Sequence, residues 1–384
     1  MAFLFCHQRA IFRTTLIFAM RFHSIDVLRG ITVTLMIIVN SPGNYTTTFA
    51  PLLHADWHGF TPTDWVFPTF LFVVGNAMSF SMGRYFSASP GQFFAKVGKR
   101  AFIIFLLGYL MYWFPFLHEV NGEWTLKPIA ETRIFGVLQR IGLCYFFASV
   151  VVYYGKERGA IFFSIFALLA YWVFLLALGD LTLAGNAVRA IDLALWGPAH
   201  LYTGDGIPFD PEGLLSTLPA IANVLGGYLA ARFVQQRGAH WETLAKLLMS
   251  GVVLVAVGLM WNWGFPINKK LWTSSYALYT IGIDMMILAL LIYVIEMLKK
   301  DRWTYFFDVF GKNTLFIYLI SEIGLTIMWI VPVGGKPLSE YLFTHVWAPI
   351  VGDYLGSFLF AFTWMMVCWL VGYWMDQKKI YIKV

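Results

Sequence analysis

The strongest constraint on this chain is the recurrence of apolar stretches long enough to cross a bilayer, which takes about 20 mostly apolar residues per helix. Such stretches run at 26–42, 64–83, 101–117, 134–154, 160–178, 214–233, 246–263, 276–298, 309–330 and 353–375. Asp26, Arg29 and Asn40 interrupt the first, and Pro219 and Asn223 the sixth. The pattern predicts an all-α polytopic membrane protein with about ten transmembrane helices. Only 12% of residues are charged, about half the roughly 25% of a soluble domain. A water-facing surface cannot be built from so few charges, so a soluble globule is excluded.

The basic residues orient the bundle. With the N-terminus inside, twenty Lys and Arg fall in inside segments, six in outside segments, and Arg140 within a span. Cytoplasmic loops carry such an excess, so both termini are expected in the cytoplasm. The net charge of +6 is thereby accounted for by topology, and no nucleic-acid partner is implied. Residues 1–24 form an N-terminal extension. Its apolar run from Thr15 to Met20 is too short for a signal sequence, and Met20 directly before "RFHSIDVLRG" offers an alternative start. Residues 25–384 form one transmembrane domain. Cys6, Cys144 and Cys368 are scattered, with no metal or disulfide spacing.

Polar groups inside a bilayer are costly, and each is a functional candidate. Arg29 and Asn40 lie eleven residues apart in the first span, nearly on one face of a helix. The first outside loop, "SPGNYTTTFAPLLHADWHGFTPTD", carries no Lys or Arg and presents His54, Trp57 and His58. A histidine there suits general-base work at neutral pH better than metal binding. Asp64 opens the second span, where it could complement the helix dipole, orient a histidine or hold an ammonium group. Arg140, buried in "FGVLQRIG", needs an anion or several carbonyls; a ligand phosphate or Glu322 in the ninth span could serve. A long outside loop carries Asp210 and Glu212, and "FPINKKLWTSSY" sets Asn268 and Lys269 beside Trp272, a combination suited to sugars or phosphates.

Taken together, "SIDVLRGITVTLMIIVN", "LLHADWHGFTPTDWVFPTFLFVVGNAM", "GVLQRIG", "DPEGLLSTLPAIANVLGGYLA" and "FPINKKLWTSSYAL" resemble the heparan-α-glucosaminide N-acetyltransferase family, in order, over residues 24–384. The resemblance implies a bacterial inner-membrane relative that moves acetyl from cytoplasmic acetyl-CoA to the amino group of a glucosamine-type sugar at the periplasmic side. The lysosomal enzyme's soluble luminal domain has no counterpart in this sequence, so heparan itself is not expected as acceptor.

By the same resemblance the family's active-site histidine maps to His54 and its membrane asparagine to Asn40. Asp64, Trp57, Asp210, Glu212, Asn268, Lys269 and Trp272 are then expected around the sugar, and Arg29 and Arg140 on the acetyl-CoA side. No metal is expected, the bilayer is the main partner, and a homodimer is left open. Broader membrane acyltransferases place a histidine eleven residues after an arginine; here that position is Asn40, and His54 fills the role. Whether His54 acts as base or carries acetyl covalently stays open. The rival readings are a secondary transporter for a sugar or peptide, which calls for inverted halves and broken helices not visible in the sequence, and O-acetylation of an exported glycan.

Overall fold

The computed structural model describes residues 22–120 and 123–382, so most of the expected N-terminal extension lies outside the described residues. Helix α1 spans His23–Asn40, and α2 spans Pro62–Ser81 with Pro62 in its first turn, where the missing N–H costs nothing. Helix α3, Pro90–Trp113, starts on a reciprocal cap between Ser89 and Gln92, a device that satisfies two orphan donors. It ends before Pro115 rather than at 117. A short hairpin, β1 Leu117–Val120 with β2 Glu123–Leu126, follows.

Helix α4, Val137–Leu178, contains non-helical backbone at Lys156. A straight helix would part Arg140 from Tyr171 by roughly 46 Å. Instead Arg140 lies 4.9 Å from the Trp272 ring centroid, and the Tyr171 hydroxyl donates to the carbonyl of the adjacent Leu271. The segment is therefore a helical hairpin turned at Lys156. It accounts for two of the apolar stretches.

The chain continues through α5 (Ala187–Trp196), α6 (Thr217–Arg237), α7 (Trp241–Trp261), and α8 (Ser274–Leu291, extended by a wider turn to Met297). Helices α9 (Tyr305–Lys312) and α10 (Thr314–Ile330) meet at a bend of 84°. Helix α11, Asp353–Gln377, ends the bundle. Among the described residues, seven helices are long and apolar enough to cross a membrane, or eight with the bent pair. The protein is an all-α polytopic membrane protein.

The bend at Asn313 is a broken helix that the sequence did not reveal. It sits at one end of the bundle: Lys312 pairs with Asp376 at 2.8 Å and Asn313 donates to the Ile380 carbonyl at 2.9 Å, near the close of the chain. A mid-membrane site of the transporter kind would need the break at the bilayer centre.

Helix α2 packs on α6 at glycine contacts. A Cβ on Gly75 would strike the Val224 carbonyl, and one on Gly227 the Phe72 carbonyl. Small residues of this kind let backbones approach where lipid gives no hydrophobic drive between helices. This contact fixes α2, and with it the loop of residues 41–61.

Candidate active site

The site begins at the first turn of α2. Asp64 is almost fully buried, and its Oδ2 accepts from the backbone N–H groups of Thr61 at 2.9 Å and Ala55 at 3.1 Å. Its Oδ1 lies 2.7 Å from His54 Nδ1. The carboxylate thus both closes the helix end and holds the imidazole. Of the roles open to Asp64 in the sequence, the geometry displays the helix cap and the orientation of a histidine. The loop is fixed from two further sides. Thr61 Oγ1 donates to the Leu53 carbonyl at 2.7 Å, and Gly59 N–H to the Ile267 carbonyl at 2.8 Å. Tyr276 on α8 donates to the Asp64 carbonyl at 2.6 Å.

An ionised Asp64 accepts the Nδ1 proton and leaves Nε2 as the basic nitrogen. Lys269 Nζ stands 3.3 Å from that Nε2. Packing around the ring and then the Lys269 ammonium hold His54 below the usual imidazole value, against the pull of Asp64. Burial likewise lowers Lys269, opposed by Glu212 and Asp64. Lys269 is delivered by a tight turn. Asn268 Oδ1 accepts from Leu271 N–H at 2.7 Å, and Trp272 adopts positive φ.

On the opposite wall, Arg133 Nε and Nη2 grip Asp210 at 2.8 and 2.7 Å, and Nη2 reaches Glu212 at 2.7 Å. The guanidinium lies between the rings of Tyr112 and Tyr202, 4.8 Å from each centroid. Burial works against the charge on Glu212, but Arg133, Lys269 and Arg140 outweigh it and hold the acid below its usual value. Arg133 drew no attention in the sequence except as an outside charge. The signal available was a lone arginine just before a span, in a loop set otherwise poor in basic groups and facing two acids.

Asn40, at the end of α1, donates Nδ2 to Glu322 Oε1 on α10 at 3.0 Å. Asn40, His54, Glu212 and Lys269 line one cavity of about 50 Å³, closed by Met36, Val66, Phe67 and Val137. The structure therefore joins Asn40, His54, Glu212 and Lys269 around one space, with Asp64 buried behind His54.

Other predicted residues lie elsewhere. Asp210 is turned fully into the Arg133 clamp. Trp57 donates to the Leu181 carbonyl at 2.7 Å and packs edge-on to Phe209, so it braces the loop. Asn268 holds its own turn and contacts His58 Nδ1 at 3.3 Å. Trp272 is fully buried, with its indole N–H on Asn223 at 3.1 Å. Arg29 sits at the far end of α1, 2.8 Å from Asp26 and beside His23, Asp308 and Lys312. About 16 Å of helix separates it from Asn40.

Arg140 does not pair with Glu322. Its Nη2 donates to the Gly213 carbonyl at 3.1 Å and to Ser216 Oγ, and its plane covers Trp272. Among the described residues its Nε and Nη1 have no partner. Glu322 instead bonds Asn40, because α10 packs against α1.

An oriented imidazole, an ammonium group, an amide and a carboxylate around a small cavity suit proton abstraction from an amine with stabilisation of a nearby oxyanion. Residues 21–259 match the family model described as heparan-alpha-glucosaminide N-acetyltransferase, catalytic. The human protein named heparan-alpha-glucosaminide N-acetyltransferase is 27% identical over 365 residues, which cover 79% of this chain and 53% of that protein. The mouse protein of the same name is 27% identical over 371 residues, 79% of this chain and 54% of the relative. The chain thus spans about half the length of the curated relatives it matches.

Proposed function

The chain belongs to the heparan-α-glucosaminide N-acetyltransferase family, and from that membership we propose that it is a membrane-embedded acetyltransferase moving acetyl from acetyl-CoA to the amino group of a glucosamine-type sugar. The observation that carries this reading is the Asp64–His54–Lys269 line at the cavity shared with Asn40 and Glu212.

The acceptor amine attacks the thioester carbonyl carbon while His54 Nε2 takes its proton. Asp64 holds the resulting imidazolium. Lys269 and the second amide hydrogen of Asn40 face the oxygen that gains negative charge. When the C–S bond breaks, the thiolate leaves and recovers the proton from His54, so the products are an N-acetyl sugar and free CoA thiol. Glu212 holds the incoming amino group beside the base. Because the thioester is already activated, proximity and proton transfer supply most of what is needed.

The basic-residue asymmetry supports ten crossings with both ends in the cytoplasm; the membrane we assign it to is a bacterial inner membrane. His54 then faces the periplasm. The hydrocarbon core is about 30 Å thick, so the acetyl group reaches His54 through the bundle. Arg29 and Arg140 are assigned to the donor's route.

The test is transfer of radiolabelled acetyl from acetyl-CoA to glucosamine by purified protein in detergent. Label recovered in N-acetylglucosamine supports the reading. Label absent from every member of an amino-sugar panel sinks it.

A further inference from the structure

A second cavity, of about 600 Å³, lies between α6 and α7 at the other end of the bundle from His54. That volume falls within the roughly 300–1,000 Å³ of ligand sites. Its origin is a packing imbalance. Helix α7 is clamped to α8 by glycines: a Cβ on Gly251 would come within 2.8 Å of the Gly282 carbonyl, and one on Gly282 within 2.6 Å of the Gly251 carbonyl. Helix α6 is committed to α2 and to the α4 hairpin. The two helices are thus drawn apart, and a groove opens between them.

The floor is apolar, with Leu229, Phe233, Leu254 and Met285 among its lining residues, and the mouth carries the cations Arg232 and Lys246 and one acid, Glu157. Eleven residues of α6, from Gly226 to Gln236, run along it, about 15 Å of depth. At the mouth Arg232 contacts Glu157 at 3.2 Å and Lys246 contacts Glu242 at 2.5 Å. Lys246 and Glu242 are both well exposed, and exposed pairs of this kind are weak enough for Lys246 to share its ammonium with another anion. An apolar slot at bilayer depth under two cationic donors has the polarity of a phospholipid, with tail below and phosphate above.

We propose that this groove is a binding site for one anionic glycerophospholipid, its acyl tail between α6 and α7 and its phosphate at Lys246 and Arg232. The lipid wedges the two helices that protein side chains leave apart. The site is independent of acetyl transfer, and stands or falls separately from it.

Native mass spectrometry of the purified protein with dioleoyl phosphatidylglycerol tests this. The wild type is expected to retain phosphatidylglycerol under activation that strips phosphatidylcholine. Ser250 is exposed on α7 and lines the groove, so Ser250→Trp fills the slot and abolishes retention. Lys246→Gln weakens phosphatidylglycerol about fivefold, the worth of one cation near a membrane surface, and spares phosphatidylcholine. Glycerol 1-phosphate, a head without a tail, does not compete. Unchanged retention by a monodisperse Ser250→Trp protein overturns the site, as does displacement by glycerol 1-phosphate. Should Ser250→Trp fail to fold, an unaltered lipid preference in Lys246→Gln is equally fatal.

Discussion

His54 Nδ1 stands 2.7 Å from Asp64 Oδ1, with the ring 41% exposed and the carboxylate 1% exposed. A buried acid thus fixes the tautomer of an accessible base, and its other oxygen is held by the backbone N–H of Thr61 at the start of α2 and that of Ala55 in the loop beside His54. The same carboxylate that starts the helix aims the imidazole, so folding of α2 and orientation of the base are one event.

Replacing His54 with Ala should lower acetyl transfer about 10²–10⁴-fold, the usual worth of a general base, with membrane insertion intact. His58→Ala should be mild, since that ring is turned to Asn268 and Trp57 and away from the cavity's lining residues. Initial rates of N-acetylglucosamine formation at saturating acetyl-CoA compare the two. A larger loss from His58→Ala would move the base.

The acid limb of the pH–rate profile should lie below the ordinary imidazole pKa of 6.5. The Lys269 ammonium disfavours the imidazolium, so Lys269→Gln should move the limb to higher pH. The Asp64 carboxylate favours the imidazolium, so Asp64→Asn should move it lower and also slow the reaction, because an amide can donate to Nδ1 and reverse the tautomer. Limbs that shift together, or not at all, would remove His54 as the titrating group.

The sequence displayed what periodic burial displays. Apolar stretches of bilayer length announce themselves one residue at a time, and each falls on helical segments, although 309–330 is split by the bend at Asn313. His54 and Asn40 stood out through the motif blocks around them. What stayed hidden were pairs closed across the bundle: Lys269 with His54, 215 residues apart, and Asn40 with Glu322, 282 apart. No spacing rule links such partners, because their meeting depends on which helices pack together. The same holds for Arg140: of the two anions the sequence offered it, Glu322 lies against α1 and bonds Asn40. The turn at Lys156, by contrast, falls between the apolar stretches 134–154 and 160–178, where two basic residues interrupt the apolar run, and so was legible.

Arg133 should be structurally indispensable. Arg133→Ala leaves Asp210, which is fully buried, and Glu212 without their cation, and removing one partner of a buried ion pair typically costs about 3–5 kcal/mol. Arg133→Lys keeps the charge but loses the two-pronged grip on Asp210, and should fall between. Thermal unfolding in detergent ranks them. Equal melting temperatures for all three would show that the clamp does not hold the loop.

Sidedness is open to chemistry. Single cysteines at Ala50 and Gln236, both exposed, lie at opposite ends of the bundle. An impermeant maleimide added to intact cells should modify only the first. Modification of Gln236→Cys alone would invert the topology read from the basic residues.

Arg140 gives the sharpest test of how buried charge is used. Its guanidinium spans the Gly213 carbonyl, Ser216 Oγ and the face of Trp272, and so ties the turn that follows Glu212 to α4. Lysine keeps the charge but cannot serve three directions with one point donor. Arg140→Lys should therefore lower stability by about 1–3 kcal/mol, the range for a charged hydrogen bond and a desolvated cation–π contact. Coupling distinguishes the partners. Combined with Ser216→Ala the effects should be less than additive, because both changes remove the same contact. Combined with Glu322→Gln they should add to within about 0.5 kcal/mol, as distant sites do. The donor role assigned to Arg140 is separable in the same set: acetyl-CoA affinity should fall in Arg140→Lys and hold in Ser216→Ala. Strong coupling to Glu322 would return Arg140 to a structural ion pair, and equal affinity in all three variants would take it off the donor's route.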